Sequence, residues 1–521
     1  MVRKQNFAIW GVDMAKKKEN ALTYLQSPIP EGQKYYKSTK VSFSGLNKRH
    51  TIDTGMLSYE KNISTAEAPY LTPSPKPMLI ADYVNGTDGG EFYNNIGKGK
   101  ILDIYGFDNF LIVLYVADNK TYVQYITVSG YVFAKGVLSE TDVTSHRSIV
   151  RFNVYNNTNN QGNVDILNGA YTKKLLVFPD KVSMDLYEQK NFDNPATIIP
   201  ASLGDAVPTL KYATVHLSRV FGVDDGKVYA SGFNNYANWD LDTADEYNES
   251  NAWCSPAQAN VKADSNFTGI TTFQNHVVCF KRNFMHEIYN TKNPFRIQDI
   301  YAEGTIDNRT IQDVDGRLIF VSDDNVKIYT GSNPKIISYN LNIPSYNNAI
   351  SGQDGRNYYL YVKNSAKSYF FVYDTMIDEW SERDASEYGE IKGFANNSKG
   401  AFMVASNCVY KLESVNYGEW SFETDLITNQ TVDIKHIKKL QMLGDFKYCN
   451  LDVYALYDDE VFNADTSHKV YSRTALNGKK PIRIKPRMTA HYGFKLHFEG
   501  VGYAKLYELE IFTQQGGELY V

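Results

Sequence analysis

The sequence predicts an all-β fold built from repeated units, with a separate β domain at its end. Three observations predict it. Aromatic residues make up 14% of the chain, with 40 Tyr and 27 Phe, and such side chains fit pleated, half-buried surfaces. One strand-and-turn unit is written twice between Phe267 and Ile337. Near Trp420 the short strands give way to longer ones. At 521 residues the chain exceeds one ordinary core, so two or three domains or one large repeat array are expected.

The doublet sets the architecture. Its first copy predicts strands at 269–273, 276–280 and 284–289, separated by turns at Gln274-Asn275 and 281–283. The second copy predicts strands at 310–314, 317–321 and 326–329, with turns at Asp315-Gly316 and 322–325. Strands this short, joined by tight polar turns, are antiparallel meanders. One meander cannot bury its own apolar face. Several stacked around an axis can, which is the logic of a β-propeller.

In chain order, residues 1–55 are polar and read as an irregular segment. The Lys16-Lys17-Lys18 run reads as a solvated loop or helix end, with a docking arm as the functional alternative. The first 20 residues hold no apolar run long enough for a signal peptide or membrane span. Pro69, Pro73, Pro75 and Pro77 forbid a helix and a central strand over 55–80, so this lead-in should be extended. Regular strands begin at Lys100. Units at 101–127, 150–188 (with an Asn-rich loop at 156–163), 211–240, the doublet, 351–383 and 390–413 bring the count to about seven blades, with six to eight compatible. Several units end in a V-x-x-Y type strand, whose aromatic can cover the neighbouring blade. The propeller is therefore expected over 56–418. Over 419–521, Ile482 and Ile484 alternate with Arg483 and Lys485, one apolar face against one charged, and a β-sandwich is expected.

The chemistry-bearing residues point away from catalysis. The net charge is −5, with no basic field to grip DNA independently of sequence. Cys254, Cys279, Cys408 and Cys449 have no metal-ligand spacing and read as small core residues. No histidine pair matches a zinc hydrolase, and no nucleophile elbow or Walker loop occurs. His276 and His286 read as core or blade-edge residues. Asp323, Asp324, Asp374, Asp378 and Glu379 lie at strand turns, where Asp bonds its own backbone, rather than as an opposed glycosidase pair. Asp313-Val314-Asp315-Gly316 and Asp224-Asp225-Gly226 read as Asp-Gly turns rather than calcium loops. Tyr358, Tyr359, Tyr361, Phe370 and Phe371 read as blade contacts. No catalytic, cofactor-binding or metal-ligating residue is assigned, and no enzyme is expected.

Four stretches together resemble the β-propeller tail proteins of tailed bacteriophages, the nozzle or tail tubular protein B-like (stabilisation protein) group. Gly55-Met56-Leu57-Ser58 with Asn62 and Pro69-Tyr70-Leu71-Thr72-Pro73 is similar to the family's lead-in, although its terminal Arg is replaced by a Pro-rich run. Ser218-Arg219-Val220-Phe221, then Tyr229 and Ser231, then Trp239, is similar to a family blade. The stretch from Gly269 to Tyr289, with its Gly304-Thr305 exit, resembles the next. Asp315, Gly316 and Phe320 with Tyr329 and Gly331 resemble the one after. The ending LYELEIF also fits. The resemblance implies a structural virion protein of the tail, assembled in the host cytoplasm as a homohexameric ring near the portal and adaptor. DNA would cross the lumen during ejection without specific binding, and nothing would insert in a membrane. Two other classes stay open at this point: a tail-tip receptor- or carbohydrate-binding propeller, and a glycan-degrading propeller enzyme.

Overall fold

The computed structural model describes residues 36–41, 43–48, 56–64, 66–88, 95–143, 145–155, 171–241, 251–255, 266–300, 304–365, 367–428, 434–457, 460–486 and 491–515. Lys16–Lys18, the Asn-rich loop at 156–163 and most of the 240–251 loop lie outside them. Among the described residues the elements are strands, apart from the 3-10 turns Asn308–Thr310 and Tyr339–Leu341. The chain divides into two compact units. One holds Lys76–Asp378 and Asp384–Val415. The other holds residues up to Pro75, Glu379–Arg383 and residues from Asn416 on.

The larger unit is a succession of propeller-type antiparallel sheets, seven among the described residues. The first begins Lys100–Phe107, Phe110–Ala117, Lys120–Thr127 and Val132–Ser139, and Ala196–Ile198 joins its outer edge in parallel. The second begins at Ser148–Tyr155, the third at Tyr212–His216 and the fourth at Phe267–Phe273. The fifth begins at Gln312–Val314, the sixth at Ala349–Gln353 and the seventh at Ile391–Asn397. The second strand of a sheet carries a buried apolar run because both of its faces are covered there. His276–Lys281 and Arg317–Val321 are buried almost throughout.

Neighbouring sheets share apolar cores. Ile112 and Leu114 pack with Leu175 and Val177, Phe152 and Phe178 with Val220 and Trp239, and Phe221 with Ile270 and Val277. Phe280 packs with Phe320, and Tyr361 and Phe370 with Met403. The fifth and sixth sheets are tied by hydrogen bonds, Gln312 Nε2 to the Ser351 carbonyl (3.2 Å) and Tyr358 Oη to the Thr310 carbonyl (3.0 Å). Phe402 and Val404 of the last sheet pack with Ile104, Leu111 and Val113 of the first.

Turn chemistry follows the hairpin rules. Asp315 (φ 53°) and Gly316 (φ 69°) both take positive φ between Val314 and Arg317, as a type I′ turn requires. Two predictions need correction here. The doublet was expected as three-stranded meanders, and each copy gains a fourth strand, Arg296–Ile300 and Lys335–Ile336. Both are short outer strands without clean alternation, so no periodic signal marks them. The proline-rich lead-in was expected to exclude a central strand. Yet Met78–Asp82 lies inside the seventh sheet, between Cys408–Lys411 and Thr87–Asp88. It starts just past Pro77, where each residue again has an N–H to donate.

The smaller unit is organised on three long strands, Lys435–Tyr457, His468–Ile484 and Phe494–Gln515, in one six-stranded sheet with Glu419–Glu423, Tyr59–Lys61 and Tyr36–Val41. The expected irregular N-terminal segment thus carries strand Tyr36–Val41, paired with Val41 opposite Leu509. It also carries Ser44–Leu46, paired with Met56–Leu57. The lead-in up to Pro75 belongs to this unit rather than to the propeller-type one.

A sandwich predicts two large sheets, and the sheet order gives one, bent by bulges, beside the two-stranded pairs Ser44–Leu46 with Met56–Leu57 and Ile63–Ser64 with Thr72–Pro73. Leu440, Met442 and Phe446 face the core before the bulge, and Cys449, Leu451, Val453 and Ala455 after it. The inward positions change from even to odd because the pairing shifts between Phe446 and Cys449, where exposed Tyr448 takes φ 48°. One extra residue keeps the same face inward while the strand turns. Ala475 and Gly502 take positive φ in the neighbouring strands.

Candidate functional site

The residues singled out by the sequence form two structural knots. In the third sheet, Ser218 occupies the turn before Arg219 with φ 57°. Arg219 is 1% exposed. Its Nη1 donates to the Ser231 carbonyl (2.6 Å) and the Asn251 carbonyl (2.7 Å). Ser231 Oγ accepts from the Val220 N–H (2.9 Å). Tyr229 donates to Asp224 Oδ2 (2.9 Å); burial first, then this carboxylate, push its phenol up. Trp239 is buried in the core shared with the second sheet and donates to the Tyr236 carbonyl (2.8 Å). Phe221 lies in the core shared with the fourth.

The second knot joins the doublet. Glu287 is buried at 2% exposure and accepts from Tyr289 Oη (2.6 Å) and from Tyr329 Oη of the next sheet. His276 Nε2 stands 3.3 Å from the same carboxylate, with its ring stacked on Tyr289 at 4.8 Å. Tyr329 also packs 5.7 Å from Phe273, so this V-x-x-Y strand covers its neighbour as expected. Burial raises the Glu287 carboxyl, and His276, Tyr289 and Tyr329 together outweigh it, so its pKa is lowered overall. A depressed carboxyl stabilises the fold above its unfolded value near ~4.3 and loses that contribution as pH falls through the folded value. The stability gap between wild type and Glu287→Gln, read by denaturant titration, should therefore be widest at neutral pH and narrow below about pH 4. A gap independent of pH would contradict this assignment.

Gly304 follows the fourth sheet's last strand; a Cβ there would stand 1.7 Å from the Lys281 carbonyl oxygen, so only glycine fits. Gly331 (φ 97°) is exposed after Tyr329. The expected turn carboxylates are paired with arginines: Asp323 with Arg282 (2.7 Å), Asp374 with Arg356 (3.0 Å) and Asp378 with Arg317 (2.7 Å). Asp224 closes its own turn through the N–H groups of Gly226 and Lys227. Tyr358, Tyr359, Tyr361, Phe370 and Phe371 are buried, as are Cys279 and Cys449. All four cysteines are free thiols. Among the described residues no group of His, Cys, Asp and Glu is arranged to hold a metal ion.

Sequence reasoning missed the polar cluster that joins sheets far apart in the chain. Asp103, on the first strand of the first sheet, bonds His146 Nδ1 and accepts from the Arg147 N–H (2.9 Å). His146 Nε2 meets Arg309 Nη1, in the turn leading into the fifth sheet. A guanidinium has only donors, so Nε2 accepts and Nδ1 carries the proton toward Asp103. Arg309 is clamped by Asp307 (2.7 and 3.1 Å), and its carbonyl accepts from Ser351 Oγ of the sixth sheet (3.1 Å). Burial lowers the Arg309 pKa, and Asp307 more than restores it. Arg147 in turn holds Asp180 through two bonds (2.5 and 3.0 Å). An Asp–His pair can serve a nucleophile, but here the second imidazole nitrogen is occupied by a cation. The arrangement holds sheets together. Arg309→Met should lower stability by about 1–3 kcal/mol, because it removes the partner of His146 Nε2 and the side-chain clamp on Asp307, which keeps only the backbone N–H of residue 309; a wild-type denaturation midpoint would contradict the bridge. No sequence signal marks it, since its members are single residues on separate units.

No protein-family model and no curated protein sequence matches the chain. Among solved structures, the β-propeller domain of Myceliophteria thermophila Cps50 (Swd1) is 10% identical, with a TM-score of 0.36, covering 60% of this chain and 96% of that one. The WD40 domain of Toxoplasma gondii coronin is 9% identical with a TM-score of 0.36, covering 72% and 90%. The Dos1 propeller is 12% identical with a TM-score of 0.33, covering 72% and 95%. At these scores the assignment of an all-β, propeller-type chain rests on the strand order itself.

Proposed function

We propose that the chain is a structural protein of a tailed-bacteriophage virion, a tail nozzle of the tail tubular protein B type that performs no catalysis. In this reading the seven sheets close as a seven-bladed propeller, with Met78–Asp82 completing the last blade. The bent sheet of the smaller unit is the counterpart of the C-terminal sandwich. Six copies form a ring near the portal and adaptor, and DNA crosses the lumen between copies.

The observation that carries this reading is what the ordered motif residues do. Arg219, Ser231, Trp239, Phe320 and Tyr329 are all spent on contacts within or between sheets. The Asp103–His146–Arg309 bridge supports it, because it ties the first, second and fifth sheets and engages both ring nitrogens of His146. In this reading the bridge blocks the axis of each propeller, so the path for DNA is between copies. Light scattering on the purified protein tests the reading: a six-copy species is expected, and a monomer at all concentrations would count against it. Depolymerisation of a host polysaccharide by the pure protein would replace it with the enzymatic alternative.

A further inference from the structure

The smaller unit carries a cavity of about 530 Å³ on the outer face of its sheet. Register explains how it is built. Four strands lie side by side, and cross-strand partners line up in rows. One row runs Tyr454, His497, Glu423, Tyr59 and the next Asp452, Glu499, Ser421, Lys61. These positions alternate with Trp420, Phe422, Leu451, Val453, Leu496 and Phe498, which face the core. The loop residues Val461 and Phe462 form the cavity's remaining wall.

Three features of the cavity ask for a ligand that donates hydrogen bonds and carries positive charge. First, Glu419, Glu423, Asp452 and Glu499 line it against one cation, Lys61. Second, Asp452 stands directly opposite Glu499 in the antiparallel pair, where like charges repel; Lys469 relieves Asp452 alone, at 3.0 Å. Third, His497 is 2% exposed and held flat against Phe462 at 3.6 Å. Its Nδ1 is 3.0 Å from Glu423 Oε1. Its Nε2 has no hydrogen-bond partner, and the nearest carboxylate oxygen, on Glu499, is 3.6 Å away. A buried polar atom without a partner is costly. One donor placed between Nε2 and Glu499 would satisfy both.

The geometry points to a binding site for an organic ammonium group, carried by a linear amine or an amino sugar. An ammonium has three donors and no acceptor, which matches a lining of acceptors. The aromatic rings of Tyr59 and Phe462 suit its carbon frame and its charge. The site lies wholly in the smaller unit and does not depend on the virion reading.

Isothermal titration calorimetry with putrescine, glucosamine and glucose tests it. Saturable binding of putrescine or glucosamine, and none of glucose, is expected. The first amine binding alone identifies a linear amine; the second alone identifies an amino sugar. Glu499→Gln should weaken binding about tenfold, through loss of one charge-assisted bond. It should melt no lower than wild type, since it removes a charge opposed to Asp452. Val461→Trp, at a wall residue 84% exposed, should close the cavity without touching the core and abolish binding. Absence of saturable amine binding at millimolar concentration, unchanged affinity in Glu499→Gln, or glucose binding as tightly as glucosamine would overturn the proposal.

Discussion

Phe320→Ala is expected to lower the stability of the propeller-type unit by about 3–5 kcal/mol. Phe320 is fully buried on the second strand of the fifth sheet. Its ring centroid stands 5.1 Å from that of Phe280, on the second strand of the fourth. The side chain therefore fills the layer between two sheets, walled by Val278, Met285 and Leu318. Strands fixed by their own ladders cannot collapse onto the space an alanine leaves, so the cavity cost adds to the lost transfer energy. Chemical denaturation followed by aromatic fluorescence reads the effect. A wild-type midpoint would mean that the two sheets do not share this core.

Phe422→Ala should cost the smaller unit a similar amount, about 3–5 kcal/mol. Phe422 is fully buried and stacked on Phe498 with centroids 4.5 Å apart and planes 8° apart. Phe43 meets it edge-on at 5.9 Å. It thus joins the N-terminal segment, the strand Glu419–Glu423 and the long strand Phe494–Gln515 in one core. Loss of this ring should also loosen the pairing of Glu419–Glu423 with Tyr59–Lys61, seen as faster amide exchange at Ser421 and Glu423. Unchanged stability and exchange would contradict the packing.

Some of this was legible from residues alone, for physical reasons. Arg317–Val321 and Val326–Tyr329 lie where expected, because a buried apolar run bounded by an Asp-Gly turn has no competing conformation. Ile482 and Ile484 are buried and Arg483 and Lys485 exposed, as alternation requires. Met78–Asp82 was not legible, since its partner Cys408–Lys411 lies more than 300 residues away and local pattern says nothing of it. The single bent sheet was hidden by its bulge. A one-residue parity change at Tyr448 reads in sequence as the end of one strand and the start of another. The Asp103–His146–Arg309 bridge and the His497 cavity escaped for a shared reason. Each is assembled by register across strands, and no member has a neighbour in sequence that reveals its role.

Electron cryo-microscopy of the assembled protein tests the central proposal most directly. The account predicts a six-fold ring with the propeller-type units closed by Met78–Asp82 and an open lumen between copies. A single copy bound to the outside of a tail, or a propeller with an open and substrate-filled centre in place of the His146–Arg309 bridge, would contradict it.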